Sequence, residues 1–314
     1  MKNASPWKLA ALLGGLVLVF AAVKIFRSPT LEGNLPEYLT KIDSAAVTEL
    51  IVSAPKTNYE EVRLVKSGGW KLKQGDISLR AEQGAGVNAV RMLMDLKPMR
   101  VATKRKEKWN EFSVGDSTGT RVRVMRGGDT EADLWIGRAG FSQVPGQQYG
   151  GSTFTYVRLE GDTEVYAVDG FLEAQFNRSF NDWRDKSFLR LKRDSITRIR
   201  FRYPADSSFV LERVAGKWMM SNQPADSAAA TSFLGAMEYR NVSSFSGNNP
   251  AGSPLMVISF EQEAKTLATV EAWPSEGNWT IRSSHQPDTF FEADVPTRRD
   301  VFVGPSKFAT KVKK

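Results

Sequence analysis

The sequence predicts an α+β protein: an N-terminal transmembrane helix followed by two related modules of mostly antiparallel sheet, each with one packed helix. Three observations lead there. Residues Trp7 to Phe26 read WKLAALLGGLVLVFAAVKIF, with no charge between Lys8 and Lys24. Beyond them, short runs that alternate apolar and polar residues are separated by Gly turns, the pattern of hairpin-linked strands. The pattern also occurs twice. Val47-Thr48-Glu49-Leu50-Ile51-Val52, then Pro55, matches Ile196-Thr197-Arg198-Ile199-Arg200-Phe201, then Pro204, and each copy runs on to a tryptophan, Trp70 or Trp218. Two copies make a duplication rather than a solenoid. The expected domains are an anchor at 1–27, a linker at 28–40, a first module at 41–179 and a second at 180–314, each module large enough for its own core.

The anchor follows from length and flanks. At 1.5 Å per residue the apolar stretch with its ends spans roughly 30 Å, the hydrocarbon thickness of a bilayer. Lys8 and Lys24 sit where their stems can snorkel, and Trp7 and Phe26 suit the interfaces. A cleaved signal peptide has a similar outline, but Val19-Phe20-Ala21 is an indifferent cleavage site and Lys24 and Arg27 follow at once. The uncleaved anchor is therefore the preferred reading. Positive charge is nearly balanced across it, with Lys2 and Lys8 before and Lys24, Arg27 and Lys41 after, so orientation rests on the usual outcome of a short tail inside and a large domain outside. This places the expected location in the cytoplasmic membrane, single-pass, with the modules in the periplasm.

Composition excludes several chemistries. Apolar content of 41% and charged content of 25% are those of a globular chain. The absence of Cys removes disulfides, thiolate nucleophiles, iron–sulfur clusters and Cys-type zinc sites. His285 is the only histidine, in the turn-like stretch Ser283-Ser284-His285-Gln286-Pro287, so a triad or zinc hydrolase would hang on one loop residue. There is no GxxxxGK[ST] and no GxGxxG between strand and helix. No catalytic, cofactor-binding or metal-binding residues are expected, and no cofactor. The formal charge of +8 favours anionic partners, although scattered solvated Lys and Arg account for it more simply.

In the first module, Glu61–Lys66, a Ser67-Gly68-Gly69 turn and Trp70–Lys73 form a hairpin. Apolar residues recurring from Val87 to Leu96 form an amphipathic helix that Pro98 ends. Lys104–Lys108 is a basic run expected at a solvated helix end or loop. Thr120–Met125 and Ala132–Gly137 are strands, Gly140–Ser152 a loop, and Phe154–Leu159 with Val165–Val168 a closing hairpin. In the second module Thr197–Tyr203 alternates strictly. Phe209–Val214 and Trp218–Met220 repeat the hairpin, Ala228–Met237 is the matching helix, and the remaining strands follow. Lys311, Lys313 and Lys314 belong to a basic tail.

An ordered series of motifs, Trp135-Ile136-Gly137, Tyr156-Val157-Arg158-Leu159, Glu164-Val165-Tyr166-Ala167-Val168 and Trp183-Arg184-Asp185-Lys186-Ser187-Phe188-Leu189, resembles domain of unknown function family 4340. The resemblance covers most of residues 40–200 and, more faintly, the remainder; Glu111-Phe112-Ser113-Val114 stands where the family usually has Tyr-Gly-Leu. It implies a bacterial envelope protein with one N-terminal membrane helix. Genes of that family often lie beside ABC transporters of the gliding-motility type, which implies an accessory role with the transporter's membrane subunits as partners. The family brings no catalytic residues.

Two residue sets are candidate contacts. Trp183, Arg184, Asp185 and Lys186 suit partner docking, since Trp and Arg are typical anchors, or an inter-module joint with Trp183 buried. Arg198, Arg200 and Arg202 fall on one strand face and make a candidate basic face for an anionic polymer such as a polysaccharide, against the plainer reading of an ordinary charged sheet surface. Asp182 and Asp185 are the nearest approach to a carboxylate pair, with Lys186 adjacent and no third group. Nucleic acid is disfavoured by the anchor and by the scatter of basic residues. The expected function is that of a non-catalytic, membrane-anchored, extracytoplasmic accessory protein of an ABC-type transport complex. The alternatives are an envelope module for an anionic polymer and an unrecognised hydrolase.

Overall fold

The alternating runs pair as antiparallel strands. The computed structural model describes residues 35–310 apart from 76, 144–150, 248 and 276. The expected anchor, most of the linker and the basic tail lie outside the described residues. Among the described residues no helix is long and apolar enough to cross a membrane. The chain divides into two compact units, one holding described residues to Trp70 and Gly84–Ser179, the other Lys71–Gln83 and Phe180 onward.

In chain order the strands up to the first helix are β1 (Glu49–Ser53), β2 (Glu61–Lys66), β3 (Trp70–Gln74) and β4 (Ile77–Arg80). After the helix Ala85–Leu93 come β5 (Pro98–Thr103), β6 (Thr120–Arg126), β7 (Asp129–Gln143), β8 (Gly151–Leu159) and β9 (Val165–Asp169). The sheet of the first unit runs β2-β1-β6-β7-β8-β9-β5. Its buried face is built of cross-strand rows. Leu50 lies opposite Leu64 and Val124, and Val52 opposite Val62 and Val122, all fully buried or nearly so. Such rows bury apolar area on a half-exposed sheet, and each aliphatic side chain so buried contributes about 1.5–3 kcal/mol.

The second unit repeats the central part of this order, a hairpin on the central strand followed by a meander, but not the placing of the strand after the helix. Its strands are β10 (Ser187–Arg190), β11 (Arg198–Arg202), β12 (Phe209–Val214), β13 (Lys217–Met220), β14 (Gln223–Pro224), β15 (Tyr239–Asn241), β16 (Met256–Gln262), β17 (Lys265–Ser275), β18 (Asn278–Ser283) and β19 (Phe291–Ala293). The main sheet runs β14-β13-β12-β11-β16-β17-β18-β19, and β10 pairs with β15 apart from it. Ile199 lies opposite Leu211 and Phe260, and Phe201 opposite Phe209 and Ile258, in the places of the Leu50 and Val52 rows. Here the core is aromatic: Phe201 stacks on Phe209 at 4.2 Å and has Phe233 and Phe308 within 6 Å.

Three hydrogen bonds around one threonine recur in both units. The Thr48 N–H donates to Met125 O, its carbonyl accepts from Lys66 N, and its Oγ1 accepts from Gly127 N at 3.0 Å. The Thr197 N–H donates to Glu261 O, its carbonyl accepts from Arg213 N, and its Oγ1 accepts from Glu263 N at 2.7 Å. In both units this threonine closes the turn end of the central strand by satisfying a donor just beyond the neighbouring strand.

Several elements differ from expectation. The loop expected over Gly140–Ser152 is strand at both ends, with Gly140 opposite Phe154 and Phe141 opposite Thr153. A Cβ on Gly140 would lie 2.4 Å from the Phe154 ring, so the glycine serves pairing rather than a turn. Each unit also carries a second short helix, Leu172–Phe176 in the first and Val295–Val301 in the second. The latter starts at Asp294, whose carboxylate accepts from Thr297 N, with Pro in the first turn. The longer helix of the second unit, Ser227–Glu238, is capped by Asp226, which accepts from Ala228 N and Ala229 N at 3.0 Å. The hairpin segment Lys71–Gln83 clusters with the second unit. It is held by Asp185 N donating to Arg80 O, Glu82 N donating to Trp183 O and a bridge between Ala81 and Arg184.

Candidate functional site

The motif series of the first unit converges on a packed cluster. Trp135, Tyr156, Val165 and Ala167 lie in one buried group with Val114 and Phe154, and Trp109 and Phe112 pack against it. Gly137 is required there, since a Cβ would meet the Phe112 carbonyl oxygen at 2.1 Å. Arg158, almost fully buried, lies 3.8 Å from the Trp109 ring centroid and 5.3 Å from that of Trp135. Its Nε donates to Val114 O at 3.2 Å, and Asp116 and Glu160 carboxylates stand at 3.3 and 3.6 Å. Burial lowers the Arg158 pKa despite those carboxylates. Tyr166 donates to Glu164 at 2.9 Å, and burial raises its phenol pKa. Glu164 is held low first by its bond to Lys104. The motifs are thus explained by packing, and the basic run beginning at Lys104 is partly drawn into it.

Trp183, Arg184, Asp185 and Lys186 all lie in the second unit. Trp183 is fully buried and so is no exposed anchor. The Arg184 guanidinium lies 3.5 Å from the Phe245 ring centroid and donates to Asn181 Oδ1 at 3.1 Å; burial lowers its pKa to about 10. Asp185 accepts from Ser187 N at 2.9 Å, and Lys186 Nζ stands 3.9 Å from Asp182. The two aspartates of the carboxylate pair are therefore used separately.

The turn after β18 latches this motif. Buried Gln286 donates through Nε2 to Asp185 O at 3.1 Å and Ser187 O at 2.8 Å, and Ser283 Oγ donates to Phe188 O. His285 accompanies the latch, its backbone N–H donating to Ser283 Oγ at 3.2 Å. Burial first, then Arg80 and Arg190, lower its pKa, with Asp185 opposing. A small hollow of about 170 Å³ opens beside it, lined by Lys71, Arg80, Gln286, Asp288 and Thr289. Among the described residues no group of His, Asp or Glu is arranged to hold a metal ion.

The strand-face arginines are largely committed to carboxylates. Arg198 pairs with Glu212 and stands 3.8 Å from Glu261, which also meets Arg200 at 3.3 Å. Arg202 extends the row exposed to solvent. Arg282 holds Glu271 at 2.6 Å. In the first unit Arg121 grips Asp133 through Nε and Nη2 at 3.0 and 2.7 Å, and Arg123 pairs with Glu61. These are cross-strand ion-pair ladders, each pair worth about 0–1 kcal/mol on an exposed face. Sequence alternation identified the face, but the carboxylates stand on neighbouring strands, and only the pairing register sets them opposite the arginines.

A family model described as Domain of unknown function (DUF4340) matches residues 70–254. No curated protein and no solved structure matches the chain.

Proposed function

Because the chain belongs to the family Domain of unknown function (DUF4340), we propose that it is a non-catalytic, membrane-anchored accessory component of an ABC-type transport complex. In this reading the stretch Trp7–Phe26 is a single transmembrane helix, the folded units stand on the periplasmic side, and the helix lies beside the transporter's membrane subunits. The gene neighbourhood that the family resemblance implies supports the reading, with the uncharged apolar stretch as its physical complement. The motifs of the family series support a scaffold role, since their tryptophan, glycine, tyrosine and arginine residues are consumed in packing. The strand-face ion pairs weigh against the anionic-polymer alternative, because Arg198 and Arg200 already face carboxylates.

The test is photo-crosslinking in native membranes with a photoreactive residue at Leu13. The expected result is a protein adduct containing a transporter membrane subunit. Adducts to lipid alone, or none with protein from any position along Leu9–Val23, overturn the reading.

A further inference from the structure

The second unit contains a groove that the motif series does not touch. The helices Ser227–Glu238 and Val295–Val301 and the turn Pro305–Phe308 border an open cleft of about 530 Å³. Phe233 and Val303, both buried, and half-buried Phe302 add apolar edges to a lining that is otherwise polar and charged. Its charged lining is Arg240, Arg299 and Lys307 against the single carboxylate of Asp300. Asp300 is a loose partner, 3.7 Å from Arg240 Nη2 and 3.6 Å from Arg299 Nε, beyond good hydrogen-bond distance. Arg240 Nε is buried and has no hydrogen-bond partner in the protein. The Arg240 backbone is nevertheless fixed, because Arg190 Nη1 donates to its carbonyl at 3.0 Å. A partly exposed guanidinium whose one carboxylate neighbour is loose, beside apolar side chains and among excess positive charge, suits a carboxylate on an apolar body.

We propose that this groove binds an acidic peptide segment of a partner protein, with apolar side chains on Phe233, Phe302 and Val303 and a carboxylate on Arg240. The cleft volume lies within the ~300–1,000 Å³ that compact ligands fill, enough for a few residues rather than a folded surface. An anionic polysaccharide shares the charge but leaves the apolar edges at Phe302 and Ala236 unmatched. The inference stands on the groove itself and is independent of the transporter reading.

Isothermal titration of the detergent-solubilised full chain tests it, using blocked acetyl-Leu-Glu-Phe-Glu-Leu-amide, acetyl-Leu-Gln-Phe-Gln-Leu with a free C-terminus, and the uncharged Gln amide. At least one carboxylate peptide binds, the uncharged peptide binds about tenfold or more weakly, and added salt weakens the interaction. The two charged arms distinguish an internal acidic segment from a chain end. R240Q removes the preference for carboxylate. S232W, at an exposed position in the lining, blocks the cleft while retaining every charge and the wild-type unfolding temperature. The proposal is overturned if neither charged peptide binds, if the uncharged one binds equally, or if both variants bind as wild type. Binding of a linear anionic polysaccharide in place of both peptides also overturns it.

Discussion

Arg158 shows how this chain spends charge at the residue scale. Its guanidinium is enclosed by Trp109 and Trp135 and bonded to the Val114 carbonyl, so removing it leaves a cavity and an unsatisfied carbonyl together. Arg158→Ala is expected to destabilise the first unit by about 3 kcal/mol, read by denaturant unfolding. Arg158→Lys should fail to rescue it, because a point charge lacks the planar fork that stacks between rings. His285 makes a second prediction. Its folded pKa lies below the ordinary value near 6.5, so the unfolded chain binds a proton more readily. Its contribution is therefore complete above about pH 6.5 and declines as pH falls from there toward the folded pKa. Arg80 and Arg190 oppose protonation in the fold and Asp185 favours it. His285→Gln should flatten this part of the stability profile, as measured by thermal unfolding from neutral to mildly acidic pH; an unchanged slope contradicts the assignment.

At the scale of elements, the recurring threonine is the sharpest test of the shared connectivity. Thr48→Val and Thr197→Val each remove an acceptor for a backbone N–H, from Gly127 and Glu263 respectively. Each should cost about 1 kcal/mol, with faster amide exchange at the orphaned N–H of its own unit alone. Asp226→Ala removes two cap bonds from the helix Ser227–Glu238 and should also cost about 1 kcal/mol. Much at this scale was legible. Strict alternation in Thr197–Tyr203 placed β11, and the spacing of Val87, Val90 and Met94 located the helix Ala85–Leu93 to within a turn. Short strands were not legible: β14 and β15 have too few residues to show a period, and β10 is recognisable only through its pairing with β15. The helix Val295–Val301 did carry a signal, Asp294 followed by Pro296, which periodicity over so few residues did not strengthen.

For the whole molecule, the repeat of strand, hairpin, helix and meander could be read because the central strands keep their apolar rows while changing their residues, all aliphatic in one unit and mixed aliphatic and aromatic in the other. The assignment of Lys71–Gln83 to the second unit could not be read, since it depends on backbone bonds to Trp183 and Asp185 more than a hundred residues away. The candidate contact set was legible only as chemistry. Trp183 and Arg184 look like a docking pair in one dimension and are respectively buried and ring-stacked in three. The strand arginines look like a basic face until their carboxylates arrive from neighbouring strands. The groove around Arg240 gave no sequence signal, because its lining is gathered from residues 232–240 and 299–307.

The accessory role is tested most directly by gentle solubilisation of the tagged full-length protein from native membranes and mass spectrometry of what accompanies it, with a version lacking residues 1–27 as control. The account predicts ABC-transporter subunits in fixed ratio with the full-length chain, reduced or lost without the N-terminal stretch. Recovery of the chain alone, or with polysaccharide that dissociates in salt, would contradict it.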